Sequence, residues 1–507
     1  MQLQEKFIKT AKDYSSKIAI YDSAMDKEIT YGKLLIASLM LSKKFSKYKG
    51  EHLGIMIPNS IASAASILAT LMAGKVPVMI NYSTGASENC RYAQEKCSFK
   101  NIITSKKLLE KLEAEFVEGM VYIEDIFEKI NLKHKLFSAV KSKLPTFLLK
   151  NFVHTGNEDE SCVILFTSGS EKDPKAVELT HKNIMHNIET VPNRFHFTPK
   201  DVFLSNLPFF HVFGLTTTLW IPLLGANTII TQPNPLKFRE ACKLIRNRKV
   251  TIMIGTPSFF YGYLKKSEAG DFETVRIAVT GADKLHDIVR NGYRNEHDVE
   301  IYEGYGTTET SPVISANPPD KNKPGSIGPP LDGVQVKIQE LKTGKTLPPN
   351  KQGKIMVKGD LVMKGYYGDI EETSLHINNG WYDTGDMGLI DEDGFLWHKG
   401  RLRRFVKVGG EMVSLVRVES ELEKLLPNGA VCCVVDVPNP TKGADIVAAV
   451  TTTKIDKKKI LKKLRKRLPK IAVPKAFHVI EDIPMMGTGK VNFREVETIC
   501  RDLEDNK

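Results

Sequence analysis

The sequence predicts an α/β protein with a large N-terminal domain of two layered αβ subdomains plus a small β-barrel-like subdomain. A mobile, small α+β C-terminal domain completes the expected fold. Three observations predict this. Continuous apolar runs alternate with helix-length segments over most of the chain, as in parallel sheets covered on both faces. From about Gly325 the texture changes to short strands and Gly/Asp/Asn turns. The segment Gly400-Arg-Leu-Arg-Arg404 is charged and has no core pattern, which puts the boundary between domains 1–400 and 401–507 there.

Taken in order, the strand-type runs are His52–Ile57, Val76–Ile80, Ile102–Thr104, Thr228–Ile230, Val250–Ile254 and Arg276–Thr280. The best apolar run, Ile61–Ala73, is interrupted by Ser and Thr and reads as a core helix rather than a membrane span. Val334–Ile338 and Gly353–Val357 read as strands of the small β-unit, and Asp391–Gly394 as a turn. The chain of 507 residues, 41% apolar and 26% charged, has material for a large core.

Several classes are excluded early. The start Met-Gln-Leu-Gln-Glu-Lys lacks the basic-then-apolar pattern of a secretory leader. Seven scattered cysteines without a CxxC pair suit neither a disulfide framework nor a zinc site, and indicate a reducing cytoplasm. The net charge of +12 favours acidic partners. No helix-turn-helix, zinc-finger or RNP pattern accompanies it, so nucleic acid is not expected. An acidic protein or an anionic membrane surface fits better.

Two basic segments stand out. Lys133–Lys150 mixes Lys with Leu, Phe and Val, as an interfacial amphipathic helix would, with Pro145 as a break. A surface helix packed on its own domain is the plainer reading of it. In Lys454–Lys470, Ile460, Leu461, Leu464 and Leu468 share one helical face and the remainder is mostly Lys and Arg. That basic face is either simply solvated or a footprint for something acidic.

The chemistry-bearing stretches follow. In Ile164-Leu-Phe-Thr167-Ser168-Gly169-Ser170-Glu171-Lys172-Asp173-Pro174-Lys175-Ala176-Val177 a strand ends in a hydroxyl- and glycine-containing loop, followed by lysine and a helical segment from Thr180. Backbone N–H groups, small hydroxyls and an ammonium suit a triphosphate, although the Walker A spacing is absent. A polar surface loop remains the alternative for this stretch alone. Gly304-Tyr305-Gly306-Thr307-Thr308-Glu309 offers an aromatic face for a base, hydroxyls for phosphate and a carboxylate suited to Mg²⁺. Trp381-Tyr-Asp-Thr-Gly385-Asp386 sets a carboxylate on a tight turn, within reach of ribose hydroxyls. Gly400-Arg401 follows, and Gly487-Thr488-Gly489-Lys490 presents a lysine on a glycine loop.

In this order and spacing the five elements resemble the adenylate-forming superfamily of acyl-CoA synthetases, non-ribosomal adenylation domains and firefly luciferase. The resemblance extends from Ile29-Thr30-Tyr31 and Met56-Ile-Pro-Asn59-Ser60 to Lys490. A narrower likeness lies in Pro77-Val-Met-Ile-Asn81-Tyr82, Thr280-Gly-Ala-Asp-Lys-Leu285 and Arg401-Leu-Arg-Arg404-Phe-Val-Lys-Val-Gly409-Gly410-Glu411-Met-Val-Ser414. These are similar to the synthetase half of 2-acylglycerophosphoethanolamine acyltransferase/acyl-ACP synthetase. Because the chain begins at the synthetase, a stand-alone enzyme is expected.

The resemblance implies activation of a fatty acid by ATP with Mg²⁺ through an acyl-adenylate, then transfer to acyl-carrier protein. A long-chain fatty-acyl-CoA ligase is the alternative, and a non-catalytic acyl- or nucleotide-binding protein a third reading. It implies that Thr167, Ser168, Gly169, Ser170 and Lys175 bind the β- and γ-phosphates, and that Thr308 and Glu309 bind the α-phosphate and Mg²⁺. Tyr305, within Tyr305-Gly306-Thr307, stacks near adenine, bordered by the backbone of Gly281, Ala282 and Asp283. Asp386 and Arg401 hold the ribose. Lys490 bridges the carboxylate and α-phosphate during adenylation; rotation about a hinge at Arg403 and Arg404 then brings Gly409, Gly410 and Glu411 to the thiol. His211 lines the acyl pocket and thiol route, with a packed core histidine as the alternative.

Lys172 and Ala176 stand where that superfamily's phosphate loop has glycine, and Arg404 where many acyl-CoA synthetases have an acid. The expected location is cytoplasmic, with peripheral contact at the inner face of the membrane and a link to phospholipid acylation.

Overall fold

The structure, a computed structural model, describes residues 1–129, 132–167, 174–408, 411–427, 429–439, 443–486 and 491–505. The chain divides into two compact units. The first comprises Met1–Pro324, Gly328–Gln335 and Lys358–Tyr382; the second comprises Gly325–Ile327, Val336–Val357 and Asp383–Lys507.

Two sheets build the first unit. One has eight strands in the order Val313–Ala316, Ile301–Gly306, Ile277–Thr280, Ile252–Gly255, Val202–Ser205, Thr228–Thr231, Ile18–Asp22 and Lys27–Thr30. Its inner pairs are parallel and each edge strand is antiparallel. The other has seven strands, with Ser161–Phe166, Val76–Met79, His52–Met56, Ile102–Thr104 and Met120–Tyr122 in parallel. Ala176–Thr180 and Gly365–Tyr366 add antiparallel strands at one edge. Both faces of such parallel strands are covered, so their residues are apolar without alternation. His52–Met56 and Ile252–Gly255 are buried throughout. Ile61–Met72 is the expected core helix, started by Ser60, whose hydroxyl accepts from the Ser63 N–H.

The second unit holds most of a sheet of short strands that includes Gly353–Lys358, Trp381–Ile390 and Leu396–Arg401, the last two antiparallel. Farther along, Cys432–Asn439, Gly443–Val450 and Ala476–Val479 form a three-stranded sheet. Val434, Ile446, Ala448 and Phe477 share a core with Val418 and Leu422 of helix Leu415–Glu423 and with Ile460 and Leu464 of helix Lys457–Leu464. The α/β class, the large N-terminal part and the small α+β C-terminal part thus agree with the sequence.

The helical segment expected from Thr180 is the helix His181–Phe195, which starts at a Thr180/Asn183 capping box; between it and Lys175 lies the strand Ala176–Thr180, which the sequence did not show. Ala176 is buried and sits opposite Phe166 in the ladder, in a place where a side chain packs. Among the described residues no helix is long and apolar enough to cross a membrane.

Candidate nucleotide and acyl site

The antiparallel pairing of Ser161–Phe166 with Ala176–Thr180 brings Thr167 and Lys175 together just beyond the paired strands. The Thr167 N–H donates to the Lys175 carbonyl at 3.0 Å, and the Lys175 N–H to the Thr167 hydroxyl at 3.3 Å. The Tyr92 hydroxyl donates to the Pro174 carbonyl at 2.7 Å. Ser168, Gly169, Ser170 and Lys172 lie outside the described residues.

The Lys175 ammonium pairs with Glu372 and lies 5.2 Å from the centroid of the Tyr366 ring. His376, one turn along the helix Ile370–His376, approaches the same carboxylate at 3.0 Å. The hydrogen bond from Lys175, set against partial burial, holds the Glu372 carboxyl below the ordinary glutamate range.

Neighbouring parallel strands deliver the next group. Ile277–Thr280 ends at Gly281-Ala282-Asp283, and Ile301–Gly306 leads into Thr307-Thr308-Glu309, so both segments leave the carboxyl edge of one sheet. In open α/β sheets that edge is where ligands bind. The backbones approach closely: a Cβ at Gly281 would meet the Gly304 carbonyl at 3.2 Å and the Phe213 ring at 3.5 Å, and one at Gly306 would meet the Pro312 carbonyl at 1.8 Å. Ala282 takes a left-handed φ of 71°. The Thr307 N–H donates to Thr310 Oγ1, and the Glu309 carbonyl accepts from the Met363 N–H at 2.8 Å. Thr308, Glu309 and Tyr305 are half-buried. Glu309 Oε1 accepts from the Tyr366 hydroxyl at 3.0 Å. Tyr382 is buried beside Thr307, and burial followed by the Glu309 carboxylate pushes its phenol well above the ordinary range, keeping it a donor.

His211 is half-buried at the start of Val212–Gly214, where Nδ1 accepts from the Phe213 N–H at 3.3 Å. Buried Asn59 fixes the loop before it: its amide donates to the Leu207 carbonyl at 2.7 Å and its oxygen accepts from the Phe209 N–H. Tyr82 meets Phe210 edge-on at 4.8 Å. A Cβ on Gly214 would strike the Pro208 carbonyl at 2.3 Å. The next turn, Leu215–Trp220, is a π-helix, a form frequent at functional sites.

In the second unit Asp386 and Arg401 are cross-strand partners. Arg401 Nε stands 3.4 Å and His398 Nε2 3.6 Å from the buried Asp386 Oδ1. Arg404 is held within this unit by the Glu419 carboxylate, a 2.8 Å bond to the Val434 carbonyl and the Phe493 ring at 4.1 Å. Burial pushes the Glu419 carboxyl up against the opposing pull of Arg404. Arg403 and Glu411 are placed by backbone alone, in the turn Leu402–Arg404 and the strand Glu411–Ser414. Gly409, Gly410 and Lys490 lie outside the described residues; Met485 and Val491 pair across the segment that carries Lys490.

Tyr366, Glu372, His376 and His398 lie outside the five motifs, and Tyr382 lies within one of them without a role assigned to it. Glu372 and His376 at i, i+4 after Gly365-Tyr366 were the available signal. A hard-oxygen pair, the Thr308 hydroxyl and the Glu309 carboxylate, fits Mg²⁺ that takes its remaining ligands from phosphates and water.

Two segments leaving the carboxyl edge of one sheet with closely approaching backbones are an arrangement that suits a ligand-binding α/β enzyme. The chain belongs to the AMP-binding enzyme family, which matches residues 7–367, with the AMP-binding enzyme C-terminal domain matching 418–490. It is 29% identical to the long-chain-fatty-acid–CoA ligase of Bacillus subtilis, over 96% of this chain and 93% of that one. ATP-bound MatB from Rhodopseudomonas palustris superposes with a TM-score of 0.84 at 25% identity, covering 99% and 100% of the two chains. O-succinylbenzoate coenzyme A synthetase from Bacillus subtilis, in complex with ATP and a magnesium ion, gives 0.81 at 21% identity over 97% and 99%. The chemistry of this adenylate-forming superfamily is ATP- and Mg²⁺-dependent activation of an acid.

Proposed function

We propose that the chain activates a fatty acid as its acyl-adenylate and passes the acyl group to the thiol of acyl-carrier protein. The fatty acid is supported by the long-chain ligase relatives.

A carboxylate is a poor acyl donor because its leaving group would be oxide. Its oxygen attacks the α-phosphorus of ATP, pyrophosphate leaves, and the carboxyl becomes a mixed anhydride with AMP. The thiolate then attacks the acyl carbon and AMP departs. The first step brings two anions together, so positioning and charge neutralisation carry the catalysis. Bound Mg²⁺ neutralises phosphate charge as a Lewis acid. Thr167 and Lys175 take the β- and γ-phosphates, with Lys175 exchanging its Glu372 carboxylate for phosphate oxygen. Thr308 and Glu309 serve the α-phosphate and the metal, Tyr305 and the Gly281–Asp283 backbone the adenine, and Asp386 and Arg401 the ribose. Lys490 bridges the reacting anions. Residues 401–507 act as the mobile domain, turning at Arg403–Arg404 to bring Gly409, Gly410 and Glu411 to the thiol, with His211 on its route.

The observation that carries the carrier-protein reading is the helix Lys457–Leu464. It buries Ile460 and Leu464 and turns Lys458, Lys459, Lys462 and Lys463 to solvent, with Arg465, Lys466 and Lys470 following. Such a face steers an acidic protein. Coenzyme A is the second reading, favoured by the activities of the ligase relatives. The test offers holo acyl-carrier protein and CoA together with ATP, Mg²⁺ and a fatty-acid panel, and weighs the products by mass. Preferential acyl-carrier-protein loading, lost on charge reversal of Lys462 and Lys466, is expected. Preferential acyl-CoA formation would overturn the carrier-protein assignment.

A further inference from the structure

The helix Leu132–Lys143 packs with the wrong face inward. Its small residues turn toward the protein: Ser138 is buried and Ala139 and Ser142 are half-buried, against the helix Tyr31–Phe45. Its bulky apolar residues face outward, Leu136 at 59%, Phe137 at 49% and Val140 at 64% exposure. An ordinary surface helix does the reverse. After the break at Pro145, the turn Thr146–Leu149 buries Leu149 yet leaves Phe147 70% exposed, and Phe152 follows at 48%.

Two of these rings, Phe137 and Phe152, share one cation. The Lys141 ammonium lies 3.8 Å from the Phe152 centroid and 4.5 Å from that of Phe137, and Lys43 reaches Phe137 from the neighbouring helix at 5.4 Å. Lysines at 129, 133, 135, 141, 143 and 150 fall in this stretch, and no carboxylate occurs between Glu128 and Glu158. Exposed apolar side chains grouped in this way mark an interaction site. Ammonium groups beside exposed aromatic rings, in a stretch without acids, match the boundary between acyl chains and anionic headgroups.

We propose that the surface formed by Leu136, Phe137, Val140, Phe147 and Phe152, with Lys43 and Lys141, docks the protein on an anionic lipid bilayer. The apolar side chains enter the acyl boundary while the lysines meet headgroup phosphates. This rests on the fatty-acid reading only in making the bilayer the place where the acid is collected; docking itself needs no ligand.

The test uses the full chain with vesicles of phosphatidylcholine alone or mixed with phosphatidylglycerol, read by co-sedimentation. At least tenfold tighter binding to the mixed vesicles is expected, falling at least tenfold in Phe137→Ser/Phe147→Ser and in Lys141→Glu. Octanoate-dependent ATP–pyrophosphate exchange, measured without vesicles, is expected to be the same in the variants and the parent. Equal binding to both vesicle types, or variants that sediment like the parent, would overturn the proposal. So would a parent dimer that the paired serine variant converts to monomer, since the surface would then belong to a second copy. Loss of the octanoate reaction in the parent would count against the ligase reading alone.

Discussion

Tyr366 donates its phenolic hydrogen to Glu309, Oη to Oε1 at 3.0 Å, and its ring underlies the Lys175 ammonium. Burial first, then the Glu309 carboxylate, pushes this phenol well above the ordinary tyrosine range, so it is a fixed donor. One side chain therefore orients both the proposed metal carboxylate and the proposed phosphate lysine.

Tyr366→Phe keeps the ring beneath Lys175 and removes only the bond to Glu309. A hydrogen bond to a charged group contributes about 1.5–3 kcal/mol, so fatty-acid-dependent ATP–pyrophosphate exchange is expected to slow by about ten- to a hundredfold. An unchanged rate at limiting Mg²⁺ would contradict this role for Tyr366.

Lys175 pairs with Glu372, so a phosphate must compete with that carboxylate for the ammonium: Glu372→Gln is expected to lower the KM for ATP, and Lys175→Ala to raise it. The Lys175–Glu372 pair is partly exposed, which limits the first effect to about two- to fivefold. Steady-state kinetics across ATP concentrations check both directions.

Glu303, on the strand Ile301–Gly306, forms a nearly buried ion pair with Arg290 at 2.6 Å, and Arg290 also reaches the exposed Asp287. Asp287 still compensates part of the charge, so Glu303→Gln is expected to cost about 1.5–3 kcal/mol in urea unfolding. Glu303→Gln/Arg290→Met is expected to recover much of that loss.

His181 is buried at the start of its helix, where Nδ1 accepts from the Leu3 N–H at 3.1 Å. Burial lowers its pKa from 6.5 to about 4. The folded value lies below the unfolded one, so this contribution is complete above pH 6.5 and is lost as the pH falls toward 4. Between pH 7.5 and 5 the parent is expected to lose about 2 kcal/mol more than His181→Gln in urea unfolding.

The parallel strands were legible because burial on both faces makes them continuously apolar: Ile252–Gly255 and Ile277–Thr280 stand within two residues of the expected runs. Asp386 and Arg401 were legible as motif residues, and their cross-strand register explains how a separation of fifteen positions becomes an adjacent pair. Glu372 and His376 were not legible, because Gly365–Tyr366 reaches Ala176–Thr180 only through a long-range antiparallel pairing. The helix start at Thr180 was legible from its cap, but the strand Ala176–Thr180 before it was missed because it is only five residues long and its partner lies across the loop. Over Lys133–Lys150 the sequence left two readings open, an interfacial helix and one packed on its own domain, because periodicity gives which residues share a face, and not which face meets the protein.

The central claim, that a fatty acid is activated as its adenylate, is tested most directly without any thiol. The protein is incubated with α-labelled ATP, Mg²⁺ and a long-chain fatty acid, and products are separated by mass, with Lys490→Ala alongside. Acyl-AMP and pyrophosphate, formed only with the acid and nearly abolished in Lys490→Ala although ATP still binds, is the expected result. Formation of ADP, or an acyl-AMP yield unchanged in Lys490→Ala, would contradict it.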